Sequence, residues 1–369
     1  MTTTSPPSSA PLAAPSRTGA GPAALAAVRD LRGRARRRMT LALGGLAFVL
    51  VGLLAVRVLL GQYTITIPDF VRILGGKTIP GASYIVMESK LPRAVGAALA
   101  GAAFGASGAL FRRTLRNPLA SPDLLGISGG AAAGAVSALA LFDAPGIGMA
   151  IGALVGGLAT AGIVLAFARS GPAASGGATS AMGSETVIVA GIAIAALAQV
   201  LVAQLVLGLD RWDLQTGAVW TSGSLGMATW TRITALALAL VVLLPLAGAV
   251  HAALAPADLG ADLAHGLGAR PERWGFAALV VGALLASAAT AAFGPLAFVA
   301  LLATPLARGL TGGVPSLPAS ALVGAVIVVL ADFLASELIP GVRLPTGILT
   351  GAAGAPLMLW LLLRSKARL

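Results

Sequence analysis

The chain has 369 residues, of which 57% are hydrophobic and only 10% charged, with a mean hydropathy of +0.92. Soluble domains carry about a quarter of their residues as charges, so this composition excludes a soluble globule and predicts an integral membrane protein. The net charge of +12 does not point to nucleic acid, because the basic residues gather in an N-terminal tail and at the ends of apolar runs, where membrane topology accounts for them.

Residues 1–38 read as a disordered, arginine-rich tail. Met1 to Asp30 is dominated by Pro, Ser, Thr, Ala and Gly, too polar to fold alone, and LRGRARRR follows. It does not read as a signal peptide, since the polar stretch precedes the charges and the next apolar run is about 20 residues, long enough to span. Arg32, Arg34, Arg36, Arg37 and Arg38 abut that run and predict a cytoplasmic N-terminus. Contact with anionic membrane lipid is a second use for the same charges.

Residues 39–369 read as one transmembrane domain. Apolar runs cover residues 41–60, 94–111, 126–142, 146–167, 187–209, 233–250, 276–293, 296–306, 319–339 and 348–363. Most reach the ~18 to 20 residues that a spanning helix needs; the eighth is short and ends near Pro305, so it reads as either a crossing or a partly embedded helix. Ten crossings place 17 of the 25 basic residues on the N-terminal side and 8 on the other, the bias expected of a cytoplasmic surface. The basic C-terminal RSKARL then also lies in the cytoplasm. Nine crossings would strand it outside.

Residues 62–90 are too mixed to span. Their Gly76-Lys77-Thr78 looks superficially like a phosphate-binding loop, but Val71 stands where the first glycine belongs, so no nucleotide site is expected. The stretch Leu91 to Gly134 joins two small-residue runs through a basic hairpin: Gly101 and Gly105, then Gly130 and Gly134, have the spacing that lets helix backbones approach in lipid. Between them come Arg112, Arg113 and Arg116, then Asn117-Pro118. Ser121-Pro122-Asp123 reads as the N-cap, first-turn proline and early acid of the next helix. Residues 255–273 place Leu259, Leu263 and Leu267 four apart among Gly260, Gly266 and Gly268, a short amphipathic helix breaking into a turn. No cysteine is present, and His251 and His265 belong to no ligand cluster, so no metal, cofactor or catalytic constellation is expected.

Together LPR (91–93), GASGALF (105–111), RNPLASPDLLGISGG (116–130) and LPTG (344–347) resemble the signature of the FecCD family. These are membrane permeases of ABC importers for ferric siderophores, haem and cobalamin. Within that family the chain is most similar to the ferric-enterobactin branch. The resemblance implies an all-α integral membrane fold of about ten helices, like the cobalamin permease of type II ABC importers. It also implies a path for a ferric siderophore opened by alternating access, or, as the alternative cargo, haem or cobalamin. The permease would be no enzyme: ABC ATPase subunits would bind on the cytoplasmic face, a substrate-binding protein outside, and a second copy or a paralogous permease beside it. An ion-coupled secondary transporter is the competing class, disfavoured by the scarcity of acids and histidines in the runs.

The same resemblance assigns residues. Lys90 and Arg93 would dock the binding protein, with Arg343 a substitute for a family arginine whose place is taken by Ser336; snorkelling at the interface is the alternative for the first two. Leu259, Gly260, Asp262, Leu263, Leu267 and Gly268 would couple to the ATPase. Gly191 and Ala195, with Gly347 and Gly351, would line the translocation path, and Arg116, Asn117, Pro118 and Pro122 would hold the hairpin. Thr304-Pro305 departs from the family's Pro-His. Asp332, a costly charge in an apolar run, is expected to cap or cross-link helices.

Overall fold

The computed structural model describes residues 22–61, 63–170, 184–337 and 344–366. Among them lie α1 (Pro22–Leu59), α2 (Ile67–Leu74), α3 (Ala82–Tyr84), α4 (Leu91–Leu115), α5 (Ile127–Phe142), α6 (Ile147–Ser170) and α7 (Ser184–Leu207). There follow α8 (Arg211–Thr221), α9 (Trp230–Ala253), α10 (Ala261–Gly266), α11 (Pro271–Phe293), α12 (Val299–Thr311), α13 (Leu317–Glu337) and α14 (Thr346–Lys366). Seven helical stretches are long and apolar enough to cross a membrane, and the shorter apolar helices α5, α12 and α14 complete the ten expected runs. Lipid offers the backbone no hydrogen bonds, so runs of this composition have only the helix open to them.

α4 is the centre of the bundle, packed on α13, α11, α12 and α9. The glycine spacing explains how it fits: a Cβ at Gly101 or Gly105 would strike the backbone of Gly324 or Ser320 in α13. Gly130 and Gly134 of α5 lie in the same way against Gly156 and Gly152 of α6. Close approach of this kind replaces the hydrophobic drive that lipid removes with dense van der Waals contact.

The bundle has two chemically different ends. At the arginine-rich end Arg38 reaches Leu310 O, and Arg113 and Arg116 reach the segment after α9. At the opposite end three irregular segments are joined by backbone bonds: Ser224 N–H donates to Phe293 O (2.9 Å) and Gly347 N–H to Gly223 O (2.9 Å). Non-helical backbone is tolerated at depth only when satisfied by protein in this way.

Four features differ from expectation. Residues 22–38 are the first turns of α1 rather than part of a disordered tail, and residues 1–21 lie outside the described residues. The Ser121-Pro122-Asp123 cap does not start α5: the Ser121 hydroxyl accepts from Leu124 N–H in a separate turn, and Gly126, at φ 76°, then breaks the chain before Ile127. A side chain at Gly126 would also collide with the Ala195 backbone. α8 was not foreseen, because its sequence RWDLQTGAVWT carries neither a spanning run nor a clear stripe. Finally, α12 continues through Pro305 to Thr311. Proline has no N–H for the carbonyl four residues back, and the carbonyl so released, Leu301 O, accepts from the Arg112 guanidinium instead.

Candidate functional site

At the arginine-rich end the segment after α9 forms a 3-10 turn (Ala255–Leu259) and then α10, separated by Gly260 at φ 102°. Ala264 faces inward and is fully buried, while Leu259, Leu263 and Leu267 are 59%, 64% and 68% exposed. Asp262 is exposed beside them, and Gly268, at φ 74°, turns the chain toward α11. The expected amphipathic helix is therefore only six residues long, with Leu259 in the turn before it and Leu267 at its C-cap, and the apolar stripe faces outward.

This segment is clamped rather than loose. Arg113 donates to Asp258 Oδ2 (2.6 Å) and to His251 O (2.6 Å), and Arg116 donates to Ala257 O. The Arg113 side chain is 9% exposed against 48% for Asp258, so water screens the pair from one side only. His265, exposed in α10, meets Glu272 at 3.0 Å. Arg116 itself adopts the left-handed conformation (φ 48°) that ends α4, and the Asn117 side chain accepts from Leu119 N–H (2.8 Å), so the turn through Pro118 closes on itself. Pro122 opens the second turn, its carbonyl accepting from Ile127 N–H.

At the opposite end, charges from distant parts of the chain converge on Asp332. Arg57 of α1 bonds it at 2.7 Å, Arg93 of α4 at 2.8 and 3.0 Å, and the Thr346 hydroxyl of α14 at 2.9 Å. Their side chains are 5% (Arg57), 11% (Arg93) and 0% (Asp332) exposed, so one carboxylate ties four helices. Lys90 ends a π-helical turn (Ile85–Lys90) and donates to Leu60 O (2.8 Å) and Tyr63 O (2.5 Å). In that turn Leu91 N–H bonds Val86 O, leaving Met87 O free to accept the Trp230 indole at 2.8 Å. Lys90 and Arg93 thus spend their charges inside the chain, and Arg343 lies outside the described residues. Ser336 bonds back to Asp332 O and Phe333 O in its own helix.

The four residues assigned to the path do not share one environment. Gly191 is buried against Leu125, and Gly347 against Ser222 O, both as close-packing positions. Ala195 and Gly351 are half-buried, and the open faces of their helices are formed by Ile192, Leu197 and Val200 in α7 and Ile348, Leu359 and Leu363 in α14. Sequence reasoning missed Arg57 and Arg112 as organising residues. An arginine within an apolar run was the available signal for Arg57; for Arg112 it was Pro305, whose freed carbonyl needs a donor.

Ten apolar helices packed through glycine contacts, with an apolar stripe clamped outward at one end, define an integral membrane protein. The chain belongs to the FecCD transport family, which it matches over residues 47–364. It is 33% identical to the Fe(3+)-citrate import system permease protein YfmE of Bacillus subtilis, over 89% of this chain and 96% of that one. Identity is 31% with the ferric enterobactin transport system permease protein FepG of Escherichia coli, covering 84% and 91%. With the hemin transport system permease protein HmuU of Yersinia pestis it is 33%, covering 77% and 84%. A metal-chelate type ABC transporter solved in an inward-facing conformation has the same fold, with a TM-score of 0.71, 23% identity and coverage of 87% and 98%. The chain is accordingly a multi-pass membrane permease of the ABC importer class.

Proposed function

We propose that this chain forms the translocation path for a ferric chelate of the siderophore type, beside a second copy or a paralogous permease. Both termini face the cytoplasm, where separate ATPase subunits bind and hydrolyse ATP. The permease alternates between outward-open and inward-open forms and breaks no bond in its cargo. The observation that carries the reading is the exposed Leu259, Leu263 and Leu267 stripe, held rigid by Arg113 and Arg116. An isolated surface gains nothing by displaying it. A groove in a partner would gain about 2 kcal/mol for each leucine it covers.

The positive-inside excess at the same end supports the orientation. The relatives' names, which span ferric citrate, ferric enterobactin and hemin, support an iron-chelate cargo. A substrate-binding protein would dock at the opposite end. Because Lys90 and Arg93 are bonded internally and Arg72 pairs with Asp69 in its own helix, the exposed Lys77 and Arg211 are the more available partners for acidic groups on its lobes. α7 and α14 remain the proposed walls of the path, lined by side chains flanking Ala195 and Gly351.

The test is reconstitution of the permease with its ATPase and binding protein in liposomes, followed by uptake of ferric enterobactin, ferric citrate and hemin. Uptake of a ferric chelate that requires ATP on the ATPase side is the expected result. Accumulation by the permease alone, driven by a proton or sodium gradient, would defeat the proposal.

A further inference from the structure

The arginine cluster of α1 does more in this structure than set topology. Arg34, Arg37 and Arg38 lie at helical spacings of three and four with Leu41 and Ala42, so one face of α1 passes from charged to apolar without a break. With Leu310 of α12 these five residues line an open groove of about 440 Å³. The three arginines are exposed along it, and Leu41 and Leu310 are 66% and 49% exposed. Arg38 Nε donates to Leu310 O at 3.4 Å, which fixes the position of α1 beside α12 at the mouth of the groove. Arg308, in the last turn of α12, adds a further positive charge at this end.

We propose that this groove is a binding site for one anionic phospholipid. The phosphodiester would lie between the Arg34 and Arg37 guanidinium groups, and an acyl chain would run over Leu41, Ala42 and Leu310. Guanidinium groups take phosphate oxygens in a forked, charge-assisted geometry. A groove whose upper part is cationic and whose lower part is apolar matches a headgroup joined to a hydrocarbon tail. It does not match a free anion, which has no use for the leucines, nor a purely apolar chain, which would leave Arg34 and Arg37 unused. Arg32 and Arg36 sit on the opposite face of α1, outside the groove. They share the net positive field but not the site, and the experiment turns on that difference. The inference needs only that the chain crosses a bilayer, so it stands or falls separately from the cargo.

The probes are phosphatidylglycerol and phosphatidylcholine, added to the delipidated full-length protein and followed by native mass spectrometry. The wild-type protein is expected to retain one phosphatidylglycerol in preference to phosphatidylcholine, with inorganic phosphate at millimolar concentration failing to displace it. R34Q/R37Q should weaken that retention by roughly tenfold or more. R32Q/R36Q, with the same net charge change, should leave it within about twofold. R34K/R37K preserves topology and charge while losing the fork, and should give an intermediate loss. Equal losses in the two glutamine pairs would reduce the effect to the general membrane field and overturn the site. Equal retention of the two lipids by wild type, or displacement by inorganic phosphate, would overturn it as well.

Discussion

At the scale of single residues, Asp332 carries more of the structure than any neighbour. A lone carboxylate in a membrane helix is costly, and here two guanidinium groups and a hydroxyl repay that cost. A buried charge cluster is poor evidence of net stabilisation, since an apolar replacement of the whole set is often as stable; breaking it from one side is a different matter. Asp332→Asn would leave Arg57 and Arg93, both nearly buried, facing each other without the carboxylate that bonds them both. We expect a loss of about 3 to 5 kcal/mol, read as a lowered thermal midpoint of the detergent-solubilised chain. Arg57→Met/Asp332→Leu/Arg93→Met, which removes all three charges, should recover much of it. A midpoint unchanged in Asp332→Asn would show that water reaches the cluster. The sequence leaves Asp332 as a cap or a cross-linker and does not say what it would link, because Arg57 and Arg93 lie 275 and 239 residues away and no periodicity relates them. For the same reason Lys90 and Arg93 looked like rim charges: position along the chain placed them at a helix entrance, while their burial depends on α1 and α13 packing over them.

At the scale of elements the sequence was more informative, and the reason is physical. Crossing lipid demands a long apolar helix, so hydropathy alone locates all ten runs, and the small-residue spacing in α4 and α5 anticipates their closest neighbours by steric need. What it misplaced were ends and irregular pieces. Gly126 delays α5 because of its contact with α7, Pro305 is tolerated because Arg112 serves the freed carbonyl, and α8 is fixed by burial of Trp220, a tertiary event. The close-approach reading predicts a contrast between two glycines. Gly105→Ala would drive a methyl into the Ser320 backbone of α13, where neither side has a flexible end to move, and should destabilise by about 1 to 3 kcal/mol. Gly52→Ala in α1 meets nothing within 4 Å and should be neutral or stabilising by up to about 1 kcal/mol. Thermal denaturation of the two variants side by side separates them. Equal behaviour would mean that α4 and α13 are free to part.

At the scale of the whole molecule, α4 connects the two ends. Arg113 and Arg116 near its C-terminus hold the segment that bears the leucine stripe, and Arg93 near its N-terminus enters the Asp332 cluster of α1, α13 and α14. A displacement of residues 255–268 by a partner would therefore be delivered to a buried rod rather than absorbed by a loose loop. Spatial continuity alone does not establish coupling; that needs an energetic test. In the reconstituted complex, Leu259→Ser/Leu263→Ser/Leu267→Ser should abolish co-purification of the ATPase, because it removes the apolar contact. Arg113→Met should behave differently: the stripe is intact, so the ATPase still co-purifies. With the bonds to Asp258 and to His251 O at the end of α9 lost, the segment would be tied to α4 only through Arg116 and Ala257 O, so less of its displacement would reach α4 and uptake per ATP hydrolysed should fall several-fold. Asp258→Ala should show a milder form of the same defect, since Arg113 still holds the end of α9 through His251 O and Arg116 still holds Ala257 O. The double variant should be no worse than Arg113→Met alone, the non-additivity expected when two residues act through one contact. Fully additive losses, or Arg113→Met with normal uptake per ATP, would move the transmission of force away from this clamp and onto α9 and α11, the helices that flank the segment in the chain.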